Sequence, residues 1–352
     1  ETIRAFHRVP SRPSRNAMAR FQHPTEIVQL PEGLHPASVE VQRSFWTLTG
    51  HASMIERTPQ QAHGNFIDFC KSYVKPDAQW AIQHLHFNNE DDGRALARAI
   101  QNNHRVAAVS DGSFSPKDAY GTAAWIIQDE RTGSELTGRM IIPGQPKDLD
   151  AYRCELGGLY GITVIIDALC MYHSIKSGSI TKACDGDMAL KHATNEYDWI
   201  SPARPHFDLI AAIWSTNART PLKWESKHVK GHQDDCRTAL LDRWAHLNIR
   251  MDTQAKAHSR DTIGDSTRTL QQKISGEPWA LWIGDRKVVR KLREEVIHHV
   301  QGPPCTQYWD EKNRFEPGDS TAVDWKATAK AMKTVPHSRR IYVTKHSAGI
   351  CG

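Results

Sequence analysis

Hydrophobic and polar positions change period several times along the chain, and each change marks a new element. Val106 to Val109 is a short apolar run that passes into Ser110-Asp111-Gly112-Ser113, the pattern of a buried strand running into polar residues. Tyr120–Gln128 and Leu136–Ile142 predict two further strands, with Asp118 and Arg131-Thr132-Gly133 at the turns. Consecutive strands joined by tight turns make an antiparallel meander. Next, Asp148 or Asp150 can cap a helix, and Glu155, Leu159, Ile162, Ile166 and Leu169 recur at steps of three or four. Gly157, Gly158 and Gly161 interrupt that helix, each at a cost of about 1 kcal/mol relative to alanine. Tolerating them predicts a helix pressed against a sheet. Ile180–Cys184 predicts a fourth strand ending at Asp185, His206–Trp214 a helix, Leu222–Val229 a fifth strand and Leu240–Ala257 a last helix. The fold class expected is α/β, a mixed five-stranded sheet flanked by helices over residues 104–260.

The flanks are less regular. Residues 1–35 carry Arg4, Arg8, Arg12, Arg15 and Arg20 among Pro10, Pro13, Pro24 and Pro31, a composition that predicts a disordered basic arm or linker. Residues 36–103 predict a small connecting region. There Phe66, Phe69 and Cys70 suggest a short helix, Leu96 to Ile100 a helix end, and Trp80, Ile82, Leu85 and Phe87 nearby packing. Glu90-Asp91-Asp92-Gly93 contains an acidic doublet, but its polar flanks Asn88, Asn89 and Arg94 predict a turn or cap. Residues 261–352 predict a helical extension with one amphipathic segment, Arg286–Val300. Its Arg286, Lys287, Arg290, Lys291 and Arg293 form a basic face, either solvated or laid on a phosphate backbone.

Composition narrows the classes. The 352 residues, 39% hydrophobic and 24% charged, exclude wholesale disorder and collagen-like repeats. The absence of an uninterrupted apolar run of about 18 residues leads us to expect no membrane-spanning helix and no membrane partner. A chain opening on Glu1 without a signal core reads as a piece of a longer polyprotein. The net charge of +5 is too small to imply a nucleic-acid partner by itself. Seven scattered cysteines, none in a CxxC pair, predict free thiols in a reducing intracellular compartment, nucleus or cytoplasm, and not a secreted protein.

Four carboxylates then stand out. Asp111 ends the first strand of the meander, Asp185 ends the fourth, Glu155 lies on the apolar stripe of the first helix, and Asp252 lies in the last helix. Singly each is ordinary: Asp-Gly is usually a turn and a helical glutamate is usually solvated. Together they are harder to dismiss. A buried, unpartnered carboxylate is costly, and clustered carboxylates cannot all ionise cheaply. Divalent cations cancel both penalties, and oxygen ligands favour hard ions such as Mg²⁺ or Mn²⁺. Two such ions about 3.5–4 Å apart suit in-line attack of water on a phosphodiester.

At these residues the sequence resembles the ribonuclease H family, especially the ribonuclease H domains of retrotransposon reverse transcriptases. The matching pieces are Val109-Ser110-Asp111-Gly112-Ser113, Tyr152-Arg153-Cys154-Glu155-Leu156, Ala183-Cys184-Asp185-Gly186-Asp187, Val229-Lys230-Gly231-His232 and Met251-Asp252-Thr253-Gln254-Ala255-Lys256. They stand in the family's order. The resemblance implies a ribonuclease H-like sheet, two Mg²⁺ ions (with Mn²⁺ as a substitute) on Asp111, Glu155, Asp185 and Asp252, and a mobile histidine at His232 aiding proton movement or product release. It implies nucleic-acid contacts from Ser113, Arg153 and Lys230, an RNA–DNA hybrid as partner, hydrolysis of its RNA strand, and an upstream polymerase domain in the full-length protein. Two departures stand out. Ala151-Tyr152 replaces the two asparagines with which many members read the RNA 2′-hydroxyl, and the stretch from His232 to Asp252 is longer than the usual loop.

Rival readings are weaker. His228, His232 and Cys236 have short spacings, but steps of four on a strand or loop do not converge on zinc as they do on a helix. No serine sits in a G-x-S-x-G elbow. A catalytically silent nucleic-acid-binding module would gain nothing from carboxylates that repel phosphates. A transposase or integrase would carry its glutamate last, and here it comes second.

Overall fold

The computed structural model describes residues 38–42, 45–49, 64–194, 201, 204–231, 233, 241–264, 274, 277, 280–284, 286–313 and 324–347. The chain divides into two compact units, Glu1–His63 and Gly64–Gly352, so residues 36–103 fall on both sides of the division. In the first unit, strands β1 (Ser38–Gln42) and β2 (Phe45–Thr49) pair as an antiparallel hairpin. The basic arm expected over residues 1–35 lies outside the described residues.

The second unit opens with helix α1 (Phe66–Tyr73), a 3-10 turn over Pro76–Ile82, strand β3 (His84–Phe87) and helix α2 (Arg94–Gln101). Asp91, in the acidic doublet, accepts from the N–H groups of Gly93 and Ala95 at the start of α2, whose N-cap is Gly93, so the doublet lies in the turn that leads into the helix. The meander follows: β4 (Val106–Ser115), β5 (Tyr120–Asp129) and β6 (Glu135–Ile141). Helix α3 (Ala151–Tyr172), β7 (Ser179–Cys184), α4 (Asp187–Ala193), α5 (Phe207–Arg219), β8 (Lys223–His228) and α6 (Arg243–Thr262) complete the pattern. A short hairpin of β9 (Leu281–Ile283) and β10 (Arg286–Val288) and helices α7 (Leu292–Asn313), α8 (Trp325–Thr334) and α9 (His337–Ser347) lie beyond.

The sheet is mixed and six-stranded, in the order β3-β6-β5-β4-β7-β8. The four strands from β3 to β4 run antiparallel, and β4, β7 and β8 run parallel. The fold is of the expected α/β class, a mixed sheet flanked by helices. The sequence pattern anticipated five of its strands; the sixth, β3, is only four residues long with two histidines, too short and polar to show a period. It exists because β6 offers it a pairing edge, His84 opposite Arg139 through Phe87 opposite Leu136.

Two apolar clusters sandwich the sheet. On one side Trp125, Ile127, Leu136 and Met140 pack with α3, α5 and the residues of α1 and α2. On the other, Ala107, Val109, Ala124, Ile126 and Ala183 pack with Leu247, Met251 and Ala255 of α6. Phe66, Trp80, Leu96 and Ile100 belong to the first cluster, so the segment from Gly64 onward is part of the domain core. The α3 glycines do lie against the sheet: a Cβ on Gly158 would meet Ser110 Cβ at 2.9 Å, and one on Gly161 would meet Met140 Cε at 2.6 Å. By length and apolarity α3 could cross a membrane, contrary to the expectation that no such helix exists. Its apolar residues are spent on this core instead, with 89% of the most apolar stretch buried.

Candidate active site

Strand register brings two of the four carboxylates to one edge. Val109 lies opposite Ala183 in the parallel β4–β7 pair, and Asp111 and Asp185 each follow two residues later. β7 stops at Cys184 while β4 runs on to Ser115, paired with β5 alone. Asp111 is therefore a mid-strand residue and not the strand-end residue the sequence predicted, because the β5 hairpin keeps its polar segment extended. It is 5% exposed.

The other two arrive from opposite faces. Side chains alternate along a strand, so Asp111 shares the face of Ala107 and Val109, the face covered by α6. Asp252 stands on that helix, partly exposed, with Lys256 Nζ 2.7 Å from its carboxylate. Glu155 stands on α3, across the sheet. Asp150 caps that helix, accepting from Arg153 N at 2.9 Å, while Asp148, the other predicted cap, lies in a separate 3-10 turn. The Glu155 carboxylate accepts from Gly112 N–H at 3.2 Å on Oε1 and from Cys184 Sγ at 3.0 Å on Oε2. Ligand atoms of Glu155, Cys184 and Asp185 all lie within 4.8 Å of one another.

Concentrated negative charge in a poorly solvated place raises the proton affinity of its members. Burial, then the charges of Glu155, Asp185 and Asp252, push the Asp111 carboxyl up to about 9. Burial and then Asp185 push Glu155 up to about 8, against the hydrogen bonds from Cys184, Gly112 and Asp111. Charge thus couples Asp111 to Glu155, Asp185 and Asp252, while among the described residues the ligand atoms within 4.8 Å of one another are those of Glu155, Cys184 and Asp185, without Asp111 or Asp252.

The remaining predicted residues divide. Ser113 lies half-buried on β4, two residues beyond Asp111. Lys230 is exposed on the loop after β8, a loop that passes against the site, since a Cβ on Gly231 would meet Asp185 Oδ2 at 2.6 Å. His232 and Cys236 lie outside the described residues. Arg153 is a correction. It is 1% exposed, and its guanidinium grips Asp208 through Nη1 and Nη2 at 3.0 and 3.1 Å and the Pro143 carbonyl through Nε at 3.2 Å. A side chain committed inside the core has nothing to offer a phosphate. Tyr152, at the position of one of the replaced asparagines, turns its hydroxyl to His192 Nδ1.

Cys184 is the neighbour that the sequence reading missed as part of the site. Its signal was its place directly before Asp185 on the alternate face of β7, the face that α3 covers. Burial, then Glu155, keep its thiol protonated, so it acts as a donor that fixes the Glu155 rotamer.

The tail's basic face is corrected in part: Lys291 and Arg293 are exposed, but the other three cations turn to acidic partners. Arg286 and Lys287 are 8% and 2% exposed. Arg286 pairs with Asp148 at 3.0 Å, Lys287 with Asp208 at 3.2 Å and Glu277 at 2.7 Å, and Arg290 with Asp150 at 2.6 Å. Burial alone would raise the Asp208 carboxyl, but Arg153 and Lys287 hold it well below the ordinary carboxylate range. These cations face inward because three aspartates near the start of α3 and α5 await them.

The donor set fits hard divalent cations. Carboxylate oxygens dominate it, and two of its members are forced toward protonation when no positive charge stands among them. Neither a family model nor a curated protein matches the chain. Solved structures similar to it include RNase H1 from the halophilic archaeon Halobacterium salinarum NRC-1, at 16% identity, covering 45% of this chain and 98% of that one with a TM-score of 0.30. Another is an RNase H1 in complex with an RNA/DNA hybrid, at 11% identity, 44% and 95% coverage and a TM-score of 0.31. A third is the N-terminal RNase H domain of a Mycobacterium tuberculosis protein, fused to maltose-binding protein, at 12% identity, 44% and 99% coverage and a TM-score of 0.26.

Proposed function

We propose that the protein is a metal-dependent endonuclease that hydrolyses the RNA strand of RNA–DNA hybrids, as part of a retroelement reverse-transcriptase polyprotein with an upstream polymerase domain. One observation carries this reading. Ligand atoms of Glu155 and Asp185, from separate elements, lie within 4.8 Å of each other. Asp111 follows in the strand register that sets Asp185 beside it, its neighbour Gly112 bonds Glu155, and Asp252 adds to the charge that raises the proton affinity of Asp111. Mutually repelling buried carboxylates are a burden that a divalent cation relieves.

Asp111, Glu155, Asp185 and Asp252 would hold two Mg²⁺ ions, or Mn²⁺ in their place. When bound, such ions activate water and stabilise the leaving oxygen of a phosphodiester. The protein's own groups set the stage. Gly112 N–H and the Cys184 thiol lock the Glu155 carboxylate, and strand register aligns Asp111 with Asp185. Ser113 and Lys230 would hold the substrate backbone, and His232, next to Gly231 in sequence, would serve as a proton or product-release group. Buried free thiols at Cys70, Cys154, Cys170 and Cys184 support a reducing intracellular setting, nucleus or cytoplasm.

The purified protein should cut the RNA of a labelled hybrid with Mg²⁺ or Mn²⁺ and stop in EDTA. Asp111→Asn should lose essentially all cleavage while keeping its fold. Undiminished cutting by that variant would end the assignment.

A further inference from the structure

Residues 325–352 contain six cations, Lys326, Lys330, Lys333, Arg339, Arg340 and Lys345, and no aspartate or glutamate. That exceeds the net charge of +5 of the whole chain. The contrast with residues 286–290 is sharp, because those cations are neutralised inside the core by acidic partners. The later ones have no acid on their own elements. Lys330, Lys333 and Arg339 are exposed, and among the described residues none of the three enters an ion pair.

The helices present this charge in order. Asp324 caps α8, accepting from Ala327 N at 2.9 Å. Lys326, Lys330 and Lys333 then recur at steps of four and three, which places them on one stripe of the helix. At about 1.5 Å per residue the stripe runs about 10 Å, the length of about three base-pair steps of a duplex at 3.4 Å each. Ala327, Ala329 and Ala331 separate the lysines, and such small side chains let a helix approach a polyanion closely. An anionic membrane is the less suitable partner. Surface-bound helices need one broad apolar face, whereas Ile341-Tyr342-Val343 on α9 are consecutive and spread around its circumference.

We propose that the Trp325–Ser347 helix pair binds the sugar–phosphate backbone of a duplex nucleic acid, independently of base sequence. The choice of duplex rests on the function proposed above; the charge pattern and the acidic cluster's chemistry are separate. Backbone binding of this kind releases counterions, so each contact adds about 0.9 to the slope of log affinity against log salt.

The test uses the full chain in EDTA, where no cutting occurs, with fluorescence anisotropy of a labelled hybrid between about 50 and 200 mM salt. The triple variant Lys330→Gln, Lys333→Gln, Arg339→Gln should bind at least about tenfold more weakly, with a slope shallower by about 2–3. The charge-keeping triple Lys330→Arg, Lys333→Arg, Arg339→Lys should restore both. Unchanged affinity and slope in the glutamine triple would overturn the proposal. So would tight binding to phosphatidylserine vesicles, lost in that triple, with no duplex binding. A protein that binds in this manner but never cuts defeats the nuclease reading alone; one that cuts but shows no loss in the triple defeats this inference alone.

Discussion

Gly112 and Glu155 touch: a Cβ on Gly112 would lie 2.6 Å from the Glu155 backbone nitrogen, and the Gly112 N–H reaches the Glu155 carboxylate at 3.2 Å. β4 and α3 can approach this closely only without a side chain between them. Gly112→Ala should therefore push α3 outward, costing about 1–3 kcal/mol of stability by overpacking. Because it also moves Glu155, cleavage of a hybrid should drop by about 100-fold. Denaturant melts and initial rates at saturating Mg²⁺ measure the two effects. Full activity in a destabilised variant would separate the contact from the chemistry.

Asp111 is predicted to destabilise the metal-free fold. Its folded-state proton affinity is raised above the ordinary 3.8 to about 9, so its contribution is intact at low pH and is lost as pH rises through the folded value. In EDTA, Asp111→Asn should melt higher than the parent near pH 9 and with little difference near pH 4, gaining about 2–4 °C for each kcal/mol of repulsion removed. The same variant should lose most of the Mg²⁺-dependent rise in Tm that the parent shows. A parent with no Mg²⁺-dependent rise would count against the metal site.

His258 works in the opposite direction. Burial, with His84 and Arg139 beside it, lowers its imidazole from 6.5 to about 4, against a weaker pull from Asp261. A depressed histidine contributes stability that is present above the unfolded value and lost as pH falls toward the folded one. The parent should lose stability between pH 6.5 and 4, and His258→Gln should flatten that part of the Tm–pH curve. An identical slope in both proteins would refute this role.

Asp208 holds two buried cations, Arg153 and Lys287. Removing one partner of a buried ionic group leaves uncompensated charge, at a cost of about 3–5 kcal/mol. Asp208→Asn should lower the unfolding free energy by that amount, read as a lower urea midpoint. Ending the chain at Gly264 should also destabilise it, because Asp148, Asp150 and Asp208 would lose Arg286, Arg290 and Lys287. An unchanged midpoint in the shortened chain would show the ion pairs of residues 286–290 to be dispensable.

What was legible in the sequence was whatever repeats along the chain. The strands of the meander and the glycine-marked helix against the sheet follow from period and local chemistry, and the core carries them as expected, whereas the choice of Asp150 over Asp148 as the helix cap came from the fold. An acidic cluster was legible because carboxylates on those elements have one economical explanation, and the structure brings Glu155 and Asp185 together.

Contacts between distant residues were not legible. A guanidinium looks the same in a sequence whether it meets a phosphate or a buried Asp208, so Arg153, Arg286 and Lys287 read as surface cations until the fold supplied their partners. β3 depends on an edge provided by β6 some fifty residues later, and Cys184 reaches Glu155 only because β7 and α3 pack face to face. The chain alone determined the local elements and the acidic character of the site, because propensity and periodicity act between near neighbours. Tertiary structure decided which charges are paired inside and which stay at the surface, because pairing and desolvation are properties of residues brought together from far apart.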